Sequence, residues 1–267
     1  MRIGFIGTGA MVSAILRGAV RAGADASTFV LADRNFSAAV ALSEEIGATP
    51  ARNNATLASQ VDLVFLGVKP HIQREVIADI ASTVKERNIA VASIAAGRTI
   101  DAIISDFGAA VPVVRVMPNV NAQIGLSMSA ICSDAASRAQ IDAVTTLMGF
   151  VGRTIALDEK DFPAFQALAS CSPAWTFQII DTLARAGVKH GLSKSASTTI
   201  AAQALAGSAQ LCLHSLESGT QPAQLIDQVT SPGGTTIAGL LAAEEAGLNT
   251  ALIHAVDAAI ARDAELA

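Results

Sequence analysis

Five short apolar runs in the first half of the chain constrain its fold more than any other feature of the sequence. They occupy residues 3–6, 29–31, 63–66, 90–94 and 113–117, and helix-length segments separate them. The runs are continuously apolar, without polar alternation, which is typical of strands buried on both faces of a parallel sheet. Two further strands are predicted, at 127–131 and 153–157. The sequence therefore predicts an α/β fold with a doubly wound, mostly parallel sheet.

A glycine-rich turn follows the first run. Gly7-Thr8-Gly9 ends the predicted strand, and a helix-compatible segment begins at Ala10. A strand, a glycine turn and a helix in this order open a Rossmann-type dinucleotide-binding unit, in which pyrophosphate lies at the helix N-terminus. Gly7 supplies the turn geometry, and Gly9 leaves room for the pyrophosphate. Because Val12 replaces the third small residue of the fingerprint, we expect it to push helix and strand apart.

The charged pair after the second run bears on the choice of dinucleotide. The acidic residue of the fingerprint is expected about 20 residues beyond the glycines, and Asp33 is near that distance. Its carboxylate can accept hydrogen bonds from ribose hydroxyls, which favours NAD(H). Arg34 can pair with a 2′-phosphate, which favours NADP(H). The two residues leave both cofactors open, and an ordinary polar turn is a third interpretation.

Small and polar residues gather where the predicted strands end. In parallel sheets of this kind the ligand lies outside the carboxyl ends of the strands. We therefore predict that the cofactor is bound by the residues in these loops. They are Gly7, Thr8, Gly9, Ala10, Met11, Asp33, Arg34, Val68, Lys69, Pro70, Ala95, Ala96, Gly97 and Asn119.

The pattern changes past Asp158, where Ala-rich segments with helical spacing continue to the end. We predict two domains, a dinucleotide-binding domain at 1–160 and an all-α domain at 161–267. Residues 200–216 are predicted to form a buried amphipathic helix. The second domain is small and apolar on several helix faces, so we expect it to bury them in a homodimer or larger homo-oligomer.

Composition excludes several classes of function. The net charge is −5 and the basic residues are scattered, so no nucleic-acid or acidic-membrane partner is expected. No apolar run is long enough to predict a membrane span. Cys132, Cys171 and Cys212 lie far apart without metal-ligand spacing. They predict no disulfide framework, no metal site, and a reducing, cytoplasmic compartment.

The stretch Ser231-Pro232-Gly233-Gly234-Thr235-Thr236 lies between two apolar segments near the C-terminus. Proline and paired glycines break any helix, and the next apolar run begins at Ile237. A helix start with free N–H groups and hydroxyl side chains suits a carboxylate or phosphate. The alternative is an ordinary helix–helix turn capped by a threonine.

The segment containing this stretch, PAQLIDQVTSPGGTTIAG at 222–239, resembles the signature of pyrroline-5-carboxylate reductases. GFIGTGAM, VKP, SIAAG and RVMPN precede it in the family's order, at 4–11, 68–70, 93–97 and 115–119. The resemblance therefore covers essentially the whole chain. It implies a Rossmann domain, an α-helical dimerisation domain, and reduction of the cyclic imine 1-pyrroline-5-carboxylate to L-proline by NADPH or NADH.

The resemblance also assigns roles to the C-terminal stretch. In similar enzymes this loop binds the carboxylate of the small-molecule substrate through main-chain N–H and hydroxyl groups. The position of Thr236 matches a hydroxyl close to the substrate's ring nitrogen, which makes it the expected catalytic residue. Hydride transfer to a protonated imine depends on positioning more than on a strong acid. The implied substrate-binding residues are Ser231, Gly233, Gly234, Thr235 and Thr236.

Some residues depart from the family pattern. Val120-Asn121 replaces a Thr-Pro pair, Leu126-Ser127 replaces the last two residues of VGEG, and Ser172 lies in a GSGPAY-like element. These departures leave two alternatives open, an imine reductase with a related substrate and a non-catalytic dinucleotide-binding paralogue. A β-hydroxyacid dehydrogenase-like protein is discounted, because 173–187 lacks the Lys and Asn of that class.

Overall fold

The computed structural model describes residues 1–266, with the side chain of Leu266 excepted, and the chain divides into two compact units. The first unit comprises Met1–Ser170 together with the chain end from Ile260, and the second comprises Cys171–Ala259. The last residue of the predicted helical domain, Ala267, lies outside the described residues.

The first unit is built on one sheet of eight strands. Their order is β3-β2-β1-β4-β5-β6-β7-β8, and every neighbouring pair is parallel except β6 with β7. This confirms the predicted doubly wound, mostly parallel sheet. The strands are β1 (Ile3–Ile6), β2 (Phe29–Ala32), β3 (Thr49–Pro50), β4 (Leu63–Leu66), β5 (Ala90–Ser93), β6 (Val113–Met117), β7 (Ser127–Asp134) and β8 (Gly152–Ala156).

Helices cover both faces of this sheet, and each face has its own apolar core. One core packs around Phe5, whose ring stacks on Phe65 at 5.1 Å and meets Phe29 edge-on at 5.5 Å. The other includes Ile77 and Ile103. Burial on both faces explains why the strands read as continuous apolar runs. The helices are α1 (Ala10–Arg21), α2 (Phe36–Ile46), α3 (Asn54–Ala58), α4 (Pro70–Arg87), α5 (Ile100–Phe107), α6 (Arg138–Gly149) and α7 (Phe162–Phe165).

The bulk of Val12 is accommodated by a glycine on a neighbouring loop. Val12 is 2% exposed, on the face of α1 that packs on the sheet. A Cβ built on Gly67 would lie 2.2 Å from Cγ2 of Val12. The space that a small third fingerprint residue usually provides is therefore provided here by Gly67.

The sheet has one strand that the sequence did not predict. β3 is only two residues long, ends in Pro50 and lies at the edge of the sheet. Proline lacks an N–H and is tolerated at such an edge. Two residues are too few to produce a periodic signal, which is why the strand was missed.

The second unit consists of helices. They are α8 (Ser172–Lys189), α9 (Lys194–Glu217), α10 (Pro222–Val229), α11 (Thr235–Glu245) and most of α12 (Leu248–Leu266). α8 and α9 pack so closely that a Cβ on Gly187 would lie 2.5 Å from Oγ of Ser197. A π-helical segment, Gln166–Cys171, precedes α8 in the chain.

Large apolar side chains remain exposed on the helices of the second unit. On α9, Ile200 is 58% exposed and Leu211 is 54% exposed, although the sequence pattern predicts a buried helix at 200–216. That prediction is wrong for the single chain, in which the buried residues of α9 are Ser197 and Ala201. Phe177 and Ile253 on other helices are 61% exposed.

Candidate active site

The N-terminus of α1 is open toward a ligand. Its N-cap, Gly9, makes no side-chain capping bond, and the first turn contains no acidic residue. A Cβ built on Gly9 would meet nothing within 4 Å. The first N–H groups of a helix have no intrahelical acceptor and carry the positive end of the helix dipole. This unobstructed helix start fits a pyrophosphate.

Gly7 adopts a conformation that other residues rarely tolerate. Its φ is +92°, and a Cβ there would lie 2.8 Å from Cγ1 of Val68 and 3.0 Å from the carbonyl oxygen of Gly67. The first glycine therefore serves the turn and its close contact with the loop after β4. Its N–H donates to the carbonyl of Ala32 at 2.8 Å, which ties the loops after β1 and β2 together.

Asp33 is held against the glycine turn. Its Oδ2 accepts hydrogen bonds from the N–H of Thr8 at 2.7 Å and from Oγ1 of Thr8 at 3.0 Å. Its Oδ1 accepts from the N–H of Asn35 at 2.9 Å. Arg34, next to it, is exposed. The carboxylate thus braces the turn, and the guanidinium is free to reach toward a phosphate.

A buried amide and hydroxyl support the loop Ala95-Ala96-Gly97. Nε2 of Gln73 on α4 donates to Oγ of Ser93 at 2.8 Å, and both side chains are fully buried. The N–H of Ala95 points at the same hydroxyl at 3.4 Å. Sequence reasoning missed Gln73, because a glutamine on an apolar helix face gives no distinctive signal. Lys69 caps α4 without a side-chain capping bond and Pro70 is its first residue.

A buried arginine joins β6 to the segment after β8. Nη1 of Arg115 lies 2.9 Å from Oε1 of Glu159, and its guanidinium lies 4.6 Å from the ring centroid of Phe162. Burial raises the pKa of the Cys132 thiol to about 11, and the negative charge of Glu159 is the second contribution to this increase. Cys132 therefore stays protonated at neutral pH and is not a nucleophile there.

The predicted cofactor-binding residues all belong to the first unit and lie in the loops after parallel strands or in the first turns of the helices that follow. β1, β2, β4, β5 and β6 run in the same direction, so their carboxyl ends form one edge of the sheet. The structure therefore brings the loops beginning at Gly7, Asp33, Gly67, Ile94 and Pro118 together at that edge.

The predicted substrate-binding residues belong to the second unit. α11 begins at Thr235, and its N-cap is Gly234, which makes no side-chain capping bond. Gly233 has φ +69°, and the N–H of Gly234 donates to the carbonyl of Ser231 at 3.0 Å. No threonine caps α11, but Thr230 is the C-cap of α10 and its Oγ1 donates to the carbonyl of Ile226 at 3.0 Å, so a threonine-capped turn stays an alternative. Thr236 is exposed in the first turn.

Residues 1–266 contain neither a candidate metal-binding cluster nor a candidate membrane-spanning helix. The described side chains include no group of three or more His, Cys, Asp or Glu that could hold a metal ion. Within the same residues, every helix is too short or too polar to cross a membrane.

Comparison with known proteins decides the family. Residues 159–266 match the family described as "Pyrroline-5-carboxylate reductase dimerisation", and residues 2–97 match "NADP oxidoreductase coenzyme F420-dependent". Pyrroline-5-carboxylate reductase 2 of Bacillus subtilis is 32% identical over 99% of this chain and 95% of its own length. The chain belongs to the pyrroline-5-carboxylate reductase family.

Solved structures of this family have the same fold. A pyrroline-5-carboxylate reductase from Coxiella burnetii is 29% identical and superposes with a TM-score of 0.93 over 100% of this chain and 98% of its own. The Plasmodium falciparum pyrroline carboxylate reductase, solved with NADP bound, is 26% identical, with a TM-score of 0.86 over the same shares. The fold of both units therefore agrees with the family.

Proposed function

We propose that this protein reduces 1-pyrroline-5-carboxylate to L-proline with NADPH, the last step of proline biosynthesis. The observation that carries the proposal is the full-length match to pyrroline-5-carboxylate reductases, which includes both the open glycine turn and the SPGGTT loop. The family match of residues 2–97 also supports an NADP-dependent oxidoreductase.

The dinucleotide would be held by the loops of the first unit. The free N–H groups of Ala10 and Met11 would bind the pyrophosphate, and the exposed Arg34 would pair with the 2′-phosphate. The predicted residues that follow β4, β5 and β6 would form the wall of the site. NADPH, when bound, supplies the hydride for the reduction.

The C-terminal loop would hold the substrate. Ser231, Gly233, Gly234 and Thr235 would bind its carboxylate, supported by the uncapped N-terminus of α11 and its dipole. The hydroxyl of Thr236 would hydrogen-bond the ring nitrogen as the imine becomes an amine. Because the protonated imine already carries a positive charge, correct positioning supplies most of the catalysis.

A homodimer accounts for the apolar faces of the second unit. The exposed side chains on α8, α9 and α12 belong to residues that match a dimerisation family, which supports burial against a second copy. We propose that residues 1–160 form the cofactor-binding domain and residues 161–267 the dimerisation and substrate-binding domain. The free thiols of Cys132 and Cys212 support a reducing, cytoplasmic location.

The test is an assay of NADPH and NADH oxidation with 1-pyrroline-5-carboxylate, with proline quantified as product. Stoichiometric proline formation is the expected result. Val120 and Leu126 are exposed apolar residues at positions where the family usually has Thr and Glu, so six-membered and substituted cyclic imines belong in the same assay. Faster turnover of one of these would support a related substrate, and cofactor binding without any turnover would support a non-catalytic paralogue.

A further inference from the structure

Asn119 is buried although it follows the end of a strand, and its side chain forms hydrogen bonds with other residues of the protein. It is 5% exposed and directly precedes a short 3₁₀ turn, Val120–Ile124. Its Oδ1 accepts from the N–H of Asn121 at 3.1 Å, and its Nδ2 donates to the carbonyl of Ala169 at 2.9 Å. A buried carboxamide with both ends engaged fixes the backbone groups that it contacts.

The two bonds also fix which way the carboxamide points. Its oxygen faces an N–H donor at Asn121, and its nitrogen faces a carbonyl acceptor at Ala169. A flipped carboxamide would put donor against donor and acceptor against acceptor. The arrangement therefore depends on asparagine, because an aspartate can cap the turn but cannot donate to Ala169.

The carbonyl of Ala169 belongs to the π-helical segment Gln166–Cys171, and further bonds hold that segment. Oγ of Ser170 donates to the carbonyl of Pro118 at 3.1 Å. Nε2 of Gln166 donates to Oδ1 of Asp263 at 2.9 Å. Single-turn π-helices in proteins often occur at functional sites, where they hold backbone in an unusual place.

The main chain of Asn119 is held from the other side by a residue that departs from the family. Its N–H lies 3.3 Å from Oγ of Ser127, at a position where similar enzymes usually have glycine. Ser127 is 3% exposed, and its hydroxyl lies 3.3 Å from that of Ser129, which is fully buried. In this chain the first residue of β7, Ser127, thus holds the N–H of Asn119 through a hydroxyl that glycine lacks.

We propose that Asn119 is a positioning residue for hydride transfer. It binds the loop after β6, which is part of the predicted cofactor wall, to the π-helical segment. The cofactor is thereby oriented through the backbone of this loop, while the carboxamide of Asn119 remains bound inside the protein. This inference rests on the proposed function.

Two variants separate positioning from simple capping. Asn119→Asp keeps an acceptor for the N–H of Asn121, and aspartate is as good an N-cap as asparagine. It removes the hydrogen bond to the carbonyl of Ala169 and places a carboxylate oxygen next to that carbonyl, which is unfavourable. Asn119→Ala removes both bonds. If the bond to Ala169 orients the loop, both variants should lower kcat by about 10- to 100-fold, the effect of a small misplacement in a site.

The accompanying measurements distinguish orientation from a loss of folded protein. KM for NADPH should change less than about threefold in both variants, and the deuterium isotope effect on kcat with 4-deuterated NADPH should increase. Backbone amides at 118–126 and 166–171 should exchange faster with solvent in Asn119→Asp, whereas those of α6 should not. Wild-type kcat in Asn119→Asp would overturn the proposal, whatever the result for Asn119→Ala.

A third variant covers the case in which neither of the Asn119 variants folds. Ser170→Ala removes only the bond to Pro118 and should lower kcat about two- to fivefold with the same increase in isotope effect; unchanged kcat would contradict the proposal. If wild-type protein fails to reduce any cyclic imine, the proposed function is wrong. In that case backbone amide hydrogen exchange alone tests the role of Asn119. Unchanged exchange at 166–171 in Asn119→Asp would reject that role.

Discussion

The two units of this protein differ in how completely one chain buries its apolar residues. In the first unit, the large apolar residues of β1, β4 and β6 are at most 7% exposed, and helices cover both faces. In the second, Phe177, Leu211 and Ile253 are each more than half exposed. Exposed apolar patches of this kind mark interaction surfaces. The first unit therefore has a core of its own, whereas the second leaves large apolar side chains exposed, which supports the proposed dimer.

The largest expected effect comes from placing a charge on the exposed face of α9. Ile200 and Leu211 lie close to the same face, because eleven residues are about three helical turns. Leu211→Glu should abolish the dimer and with it most of the activity, because a charge would have to be buried unpaired. Light scattering should find the 27.2 kDa single chain.

The matched control is Ser59→Glu, a charge added at an exposed polar position of the first unit. It should leave both the molar mass and the turnover unchanged. A Leu211→Glu protein that stays dimeric and active would mean that this face of α9 is not the surface between copies.

The next effect concerns the proposed chemistry of the second unit. Thr236→Ala should lower kcat by about 10- to 100-fold through loss of one hydrogen bond to a charged group. Folding should be retained, since Thr236 is exposed and Gly234 is the N-cap of α11. Steady-state kinetics with circular dichroism would test both statements. Thr236→Ser, which keeps the hydroxyl, should retain most of the activity, and equal activity in all three proteins would remove Thr236 from the mechanism.

A smaller effect tests the close packing of the first unit. Gly67→Ala should destabilise it by about 1–3 kcal/mol, as overpacking usually does, because the new methyl group would lie 2.2 Å from Val12. Chemical unfolding of Gly67→Ala, Val12→Ala and the double variant would measure the coupling. In the double variant, Val12→Ala should recover much of the stability that Gly67→Ala loses. Simple additivity of the two changes would show that Val12 does not depend on Gly67 for space.

The smallest effect concerns cofactor choice. Asp33→Asn removes a negative charge near the expected 2′-phosphate and should raise the NADPH/NADH ratio of kcat/KM about two- to fivefold, as expected for one partly solvated charge. Asparagine has one acceptor oxygen, so some of the bonds from Thr8 and Asn35 will also be lost. Asp142→Asn, on α6, is the control for net charge. An unchanged ratio would mean that Asp33 serves only to brace the glycine turn.

The same difference between the units explains how much the sequence could predict. The apolar runs of the first unit gave the correct positions of β1, β4 and β6, because strands covered on both faces leave an unmistakable pattern. β3 left no pattern, and the complementarity of Val12 with Gly67 joins residues distant in sequence. In the second unit, 200–216 has the apolar content of a buried helix, but apolar content alone does not distinguish burial within one chain from burial between two copies.

The residues of the candidate site likewise divide into those that the sequence predicts and those that it does not. The glycine turn and the SPGGTT loop are local features, and they were predicted from short motifs. Gln73 with Ser93, and Asn119 with Ala169, are contacts between distant segments, and only the fold brings them together. A polar residue in such a pair appears in the sequence as an isolated exception to an apolar pattern.

In the proposed reaction, this chain transfers hydride from NADPH to the imine carbon of 1-pyrroline-5-carboxylate. Incubation with 4-deuterated NADPH and mass spectrometry of the product tests it directly. We expect proline that carries a single deuterium on Cδ, the ring carbon that lies next to nitrogen and does not bear the carboxylate, with one NADPH consumed for each proline formed. Absence of labelled proline, from dimeric protein that still binds NADPH, would contradict it.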